Sequence, residues 1–112
     1  MELGTEMHGS DAIITPAASR IDAVVAIKFK DRMRDITRDV TGRVILNLDR
    51  VEFVDSSGLG AIVAAMKQLD GDRPLELAAL QPAVAKVFRL TRMDSVFPIH
   101  DDAATAMAAR SG

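Results

Sequence analysis

At 112 residues the chain has single-domain length, and 48% apolar with 27% charged residues is the composition of a folded globular chain. Fourteen Lys and Arg against 16 Asp and Glu leave a net charge of -2, without the basic excess that binding a phosphate backbone requires, so nucleic acid is not expected as a direct partner. The absence of Cys excludes disulfides, thiolate metal sites and cysteine nucleophiles, and the start Met1-Glu2-Leu3-Gly4-Thr5-Glu6 lacks the basic and apolar regions of a secretory signal. With no apolar run of membrane-spanning length, the expectation is a cytoplasmic protein that does not insert into membranes.

The turn cluster His8-Gly9-Ser10-Asp11 separates Met1 to Met7 from Ala12-Ile13-Ile14-Thr15-Pro16, which predicts a short strand pair. From Asp22 onward Val25, Phe29, Met33, Ile36 and Val40 recur at helical spacing, and Thr41-Gly42 ends the pattern. Lys28, Lys30, Arg32, Arg34 and Arg38 on its other face are interleaved with Asp31, Asp35 and Asp39, the mark of a solvated face. Val44-Ile45-Leu46-Asn47-Leu48 has the nearly unbroken apolar character of a central strand covered on both sides.

Val51-Glu52-Phe53-Val54 then leads through Asp55-Ser56-Ser57-Gly58 into a second helix, with Leu59, Ile62, Val63, Met66 and Leu69 expected on its buried face. Asp70-Gly71-Asp72 breaks that helix, and Leu75-Glu76-Leu77-Ala78 predicts a strand. Gln81-Pro82 opens a third helix with Val84, Val87, Phe88 and Thr91 inward. Val96-Phe97-Pro98-Ile99 predicts a last strand at a sheet edge, because Pro98 cannot donate to a ladder, and Asp101-Asp102 caps an Ala-rich final helix. The alternation gives an α/β or α+β class with one mixed sheet. The four aromatics, Phe29, Phe53, Phe88 and Phe97, all fall on apolar faces and are expected in the core.

The most unusual composition is Asp55-Ser56-Ser57-Gly58-Leu59-Gly60, where two hydroxyls stand between an acid and two glycines at a strand-to-helix turn. Two readings share the same physics. Asp55, Ser56 or Ser57 can cap the helix while Gly58 and Gly60 allow close packing, or the free amides and positive dipole end can receive an anion, which places a serine well to carry phosphate. Gly58-Leu59-Gly60 matches only part of a dinucleotide fingerprint, and neither a phosphate-binding loop of the ATPase type nor a hydrolase elbow is present. His8 and His100 have no spaced carboxylates, which predicts solvated histidines and no metal site.

These residues resemble the STAS domain and, within it, the bacterial anti-sigma factor antagonists. The resemblance runs through Val44 to Leu48 and Val51 to Gly60, whose Asp55-Ser56-Ser57-Gly58-Leu59-Gly60 is similar to the family's signature. It continues through Leu80-Gln81-Pro82-Ala83-Val84, Phe88, Leu90 and Thr91, and Asp94 to Ile99; upstream, Arg20-Ile21-Asp22-Ala23 resembles the loop before the family's first helix. It implies one STAS domain over residues 1–112, with about five strands packed against four helices. It also implies a binding switch with no enzymatic activity and no cofactor of its own, Mg-ATP belonging to a partner kinase.

By the resemblance, Ser56 is the phosphorylated position. The unmodified form binds an anti-sigma factor that is a serine kinase and so frees the sigma factor; phosphorylation ends the binding, and a serine phosphatase resets it. Asp22, Asp55, Ser57, Gly58, Leu59 and Gly60 are the implied motif and interface residues. The alternative is a constitutive accessory subunit of a transporter or signalling scaffold, with Ser56 only a cap. A receiver-like domain phosphorylated on Asp55 is disfavoured by the lack of an amino-terminal acid pair for Mg²⁺. Two positions depart from the family pattern. Ser19 stands where Gly is common, and Arg92 replaces a common Gly after the third helix, at a cost of about 1 kcal/mol at most.

Overall fold

The computed structural model describes residues 1–70 and 73–109. Strands β1 (Leu3–His8) and β2 (Asp11–Pro16) form the expected strand pair, which is an antiparallel hairpin turned at Gly9, whose φ of +65° is one a side chain would resist. A two-residue strand β3 (Arg20–Ile21) follows, then helix α1 (Ala26–Thr37).

Helix α1 is shorter at both ends than its apolar spacing suggested. The Asp22 carboxylate accepts from the Val24 N–H at 3.1 Å and the Asp22 carbonyl from the Val25 N–H at 3.1 Å, so Asp22 to Val25 form a turn that competes with helix. At the far end the helix stops at Thr37, and Val40 reaches the core from the chain beyond it.

Strand β4 (Val44–Asn47) is central, as expected. The sheet order is β1-β2-β4-β6-β7, with β6 at Leu75–Ala78 and β7 at Ile99–His100, and every pair but the first hairpin is parallel. Between β4 and β6 come β5 (Phe53–Val54), which pairs with β3 in a separate parallel ribbon, and helix α2 (Ser56–Lys67). Helix α3 (Pro82–Leu90), a 3₁₀ turn (Met93–Ser95) and helix α4 (Ala103–Ala108) complete the chain. A mixed sheet with four helices is the fold class the sequence implied.

The period of two along the strands divides the core. Ala12, Ile14, Val44, Leu46, Leu75 and Leu77 join one large cluster with Phe29, Met33, Ile62, Val84, Phe88 and Phe97. Ile13, Ile45 and Ala78 form a smaller one with Ala106 of α4. Full burial of each such Ile or Leu contributes about 1.5–3 kcal/mol, which is why the β4 run tolerates almost no polar residue. Phe88 and Phe97 meet edge to face with centroids 5.8 Å apart.

Further details of the fold differ from the sequence reading. The buried face of α2 is Gly58, Ala61, Ile62 and Ala65, while Leu59, Val63 and Met66 are only partly covered: small residues let the helix lie close to the chain beneath it. Thr91 is exposed, its hydroxyl donating to the Val87 carbonyl at 2.7 Å. The last strand is displaced to Ile99–His100, because Phe97 turns into the core and Pro98 contributes only its carbonyl, which accepts from the Leu77 N–H at 2.8 Å. Phe53 is 39% exposed, with the Arg20 guanidinium 4.2 Å above its ring. The predicted breaker at Asp70-Gly71-Asp72 lies partly outside the described residues, but α2 already ends at Lys67.

Candidate functional site

Asp55, rather than either serine, caps α2: its Oδ1 accepts from the Gly58 N–H at 2.8 Å. Its Oδ2 accepts from the Ala23 N–H at 3.2 Å, so one carboxylate ties the loop before α1 to the start of α2. Ser56 and Ser57 occupy the first turn of the helix with exposed side chains that the cap does not employ. Of the two glycines, only Gly58 is required by close approach, since a Cβ there would overlap the Ile21 carbonyl of β3. A Cβ at Gly60 would meet open space, contrary to the packing expectation for that residue.

The surroundings of the serines are apolar and open. Val24, in the turn before α1, is 84% exposed, Ile27 in the first turn of α1 is 70% exposed, and Phe53 leads into the cap. Ile27, Lys30, Ser57, Gly60, Ala61 and Ala64 line a groove of about 180 Å³ between α1 and α2. Asp22, held by Val24 and by the Arg20 Nε at 3.3 Å, stands at the loop that leads to this groove. The site residues expected from sequence thus gather at the β3–β5 end of α2, while Leu59 is half-buried and supports the face from within. Sequence reasoning missed Val24 and Ile27, because a helical apolar period assigns Val25 and Phe29 to the core and says nothing of apolar residues left outside.

A second polar constellation lies elsewhere. Glu76, buried on β6, accepts from Arg43 Nε at 2.9 Å and Nη2 at 2.7 Å, and its Oε1 is 2.9 Å from His100 Nε2. Arg43 also donates to the Ala106 carbonyl at 2.7 Å. Burial pushes the Glu76 carboxyl up, but the hydrogen bonds from Arg43 and His100 outweigh it and hold it below the usual carboxylate range. The Arg43 guanidinium is correspondingly raised by its bond to Glu76. His100 is therefore a half-buried partner of a carboxylate, not the solvated histidine expected from sequence, whereas His8 is exposed beside Glu6 at 3.3 Å. Each member of the buried set has its partners, which makes it a tie among β6, β7, α4 and the residue that precedes β4. Among the described residues no group of three or more His, Asp or Glu is arranged to hold a metal ion.

The STAS domain family model matches residues 5–106. The chain belongs to the STAS domain family. A Bordetella bronchiseptica protein, BtrV, described as a candidate anti-sigma factor antagonist, is 35% identical over 68 residues, covering 60% of this chain and 59% of that protein. An anti-sigma-B factor antagonist of Staphylococcus aureus is 22% identical over 82 residues, 72% of this chain and 76% of its own.

Among solved structures, an anti-sigma factor antagonist from Mycobacterium paratuberculosis superposes with a TM-score of 0.85 at 23% identity over 96% of this chain and 91% of that one. The anti-sigma factor antagonist SpoIIAA in its unphosphorylated form gives 0.75 at 21% identity over 95% and 93%. A sulfate transporter family protein from Wolinella succinogenes gives 0.75 at 16% identity over 88% and 83%. No helix among the described residues is long and apolar enough to cross a membrane.

Proposed function

We propose that this STAS domain is an anti-sigma factor antagonist with no catalytic activity of its own, whose unmodified Ser56 face binds an anti-sigma factor serine kinase and thereby releases a sigma factor. Phosphorylation of Ser56 by that kinase, with the kinase's Mg-ATP, ends the binding, and a serine phosphatase restores it, in the cytoplasm. The observation that carries the reading is the separation of duties at the start of α2. Asp55 does the capping, which leaves the Ser56 side chain exposed in the first turn of α2, next to Ser57, which lines the apolar groove with Ile27. Such a face binds well when its central group is neutral and poorly when it is a hydrated dianion that docking must desolvate.

Phosphate at Ser56 would meet the favourable end of the helix dipole, so the modification acts on the partner surface and leaves the fold intact. The test has two arms. Incubation with a serine kinase of the anti-sigma class and Mg-ATP, followed by mass mapping, should place the phosphate on Ser56, with Ser57 and Ser95 minor. By titration calorimetry against that kinase, Ser56→Ala should keep the affinity of the unmodified protein. Ser56→Asp should lose about a hundredfold, equivalent to about 3 kcal/mol. Equal affinity of all three forms would favour the constitutive subunit.

A further inference from the structure

We infer that the outer edge of β1 is a self-association surface, on which a second copy of this chain adds its own β1 antiparallel to make one continuous sheet through both copies. The hydrogen-bond alternation of the hairpin shows what the edge offers. The Ala17 N–H donates to the Glu2 carbonyl at 3.0 Å, and β1 pairs with β2 in the register Gly4↔Thr15, Glu6↔Ile13, His8↔Asp11. On its other side β2 turns the Ala12 N–H to the Arg43 carbonyl at 2.9 Å, so it is Asp11, Ile13 and Thr15 whose backbone groups face β1. Glu2, Gly4, Glu6 and His8 therefore spend their backbone groups on the hairpin, and Leu3, Thr5 and Met7 direct theirs away from it.

Among the described residues nothing pairs with this outer row. The Leu3 carbonyl meets only the Thr5 hydroxyl, at 3.5 Å. β1 is also long for an edge, at six residues, and contains neither Pro nor Lys; its one charged device is the carboxylate of Glu6. The opposite edge, by contrast, is two residues long and follows Pro98.

Side-chain charge selects the occupant and the register. With a two-fold axis at Thr5, Leu3 pairs with Met7 of the second copy, Thr5 with Thr5 and Met7 with Leu3, so that every outward N–H and C=O of the three residues is used. The same register sets Glu2 opposite His8 in both directions, an acid facing a base. A shift of the axis to Glu6 would bring Glu6 against Glu6, and a shift to Gly4 would bring Glu2 against Glu6. Both put like charges opposite one another and leave part of the outward row unpaired. Met7, 51% exposed in the isolated chain, gains a partner in Leu3 only in the Thr5-centred register. The pairing uses none of the residues of the Ser56 face.

Sedimentation equilibrium over two decades of protein concentration tests this. The full chain should pass reversibly from monomer to dimer. In the same range, amide exchange at Leu3, Thr5 and Met7 should slow with concentration, while Gly4, Glu6 and His8 are protected throughout. Thr5→Pro removes an N–H that the hairpin does not use, so it should leave the melting curve nearly unchanged yet weaken association at least tenfold. Met7→Lys should weaken it similarly without altering the backbone. A chain that is monomeric at every concentration, or a dimer indifferent to both substitutions, would overturn the inference. So would a dimer whose protection on concentration appears at Ile99 and not at Thr5.

Discussion

The Ala23 N–H donates to Asp55 Oδ2 at 3.2 Å, so the loop before α1 hangs on the same carboxylate that caps α2. This relationship makes the apolar tip of α1 and the serine turn one surface, although 32 positions separate the two residues in the chain. It also means that a change at Asp55 is felt at both places.

Asp55→Ala should destabilise the protein by about 1–2 kcal/mol, the cost of losing an N-cap, and should speed amide exchange at Ala23 as well as at Gly58. Asp55→Asn keeps an acceptor oxygen and should retain most of the stability. Chemical denaturation with residue-resolved exchange checks both. Unchanged protection at Ala23 in Asp55→Ala would show that the loop is held by other means.

The two glycines of the turn should respond oppositely to alanine. Gly58→Ala drives a Cβ into the Ile21 carbonyl, which is backbone in a paired strand and cannot swing aside, so a loss of about 2–3 kcal/mol is expected. Gly60→Ala meets open space inside a helix and should gain about 0.5–1 kcal/mol through helix propensity. Thermal melts of the two variants decide the matter, and a stabilised Gly58→Ala would contradict the packing.

Glu76→Gln should cost about 3 kcal/mol at neutral pH, because it leaves the Arg43 charge half-buried without its counter-charge. The pH dependence follows from the direction of the shift. The folded carboxyl titrates below its ordinary value of 4.5, so the unfolded chain takes up its proton first on acidification. The stability that Glu76 supplies is thus fully present above pH 4.5 and is lost as pH falls through the folded value. The stabilities of the two proteins should differ above pH 4.5 and converge below it. A gap that widens on acidification would reverse the sign.

Arg92 and Ala79 both have positive φ, +61° and +59°, where a Cβ is strained. Arg92 is thus a left-handed residue at the entrance to the 3₁₀ turn. Arg92→Gly and Ala79→Gly should each stabilise by up to about 1 kcal/mol, less the extra freedom Gly gives the unfolded chain. A drop in melting temperature for either would mean that its side chain makes a contact worth more than the strain.

Local signals carried much of this protein. The His8 to Asp11 turn, the apolar run at Val44 to Leu48, Pro82 at the start of α3 and Asp102 ahead of Ala103 were legible because each depends on a few neighbouring residues and one face of water. The motif at Asp55 to Gly60 was legible in composition, but not which residue does what. Three side chains could cap, and only the descent of β5 beside β3 gives that role to Asp55, puts Gly58 against Ile21 and leaves Ser56 outside. The small-residue face of α2 was hidden because hydrophobic spacing points to the largest side chains, whereas close backbone approach selects the smallest. The Glu76–Arg43–His100 set was hidden for a different reason. Its members lie 33 and 24 positions apart, and they meet only once the parallel register of β4, β6 and β7 is set, a property of the assembled sheet that no single segment of the chain contains.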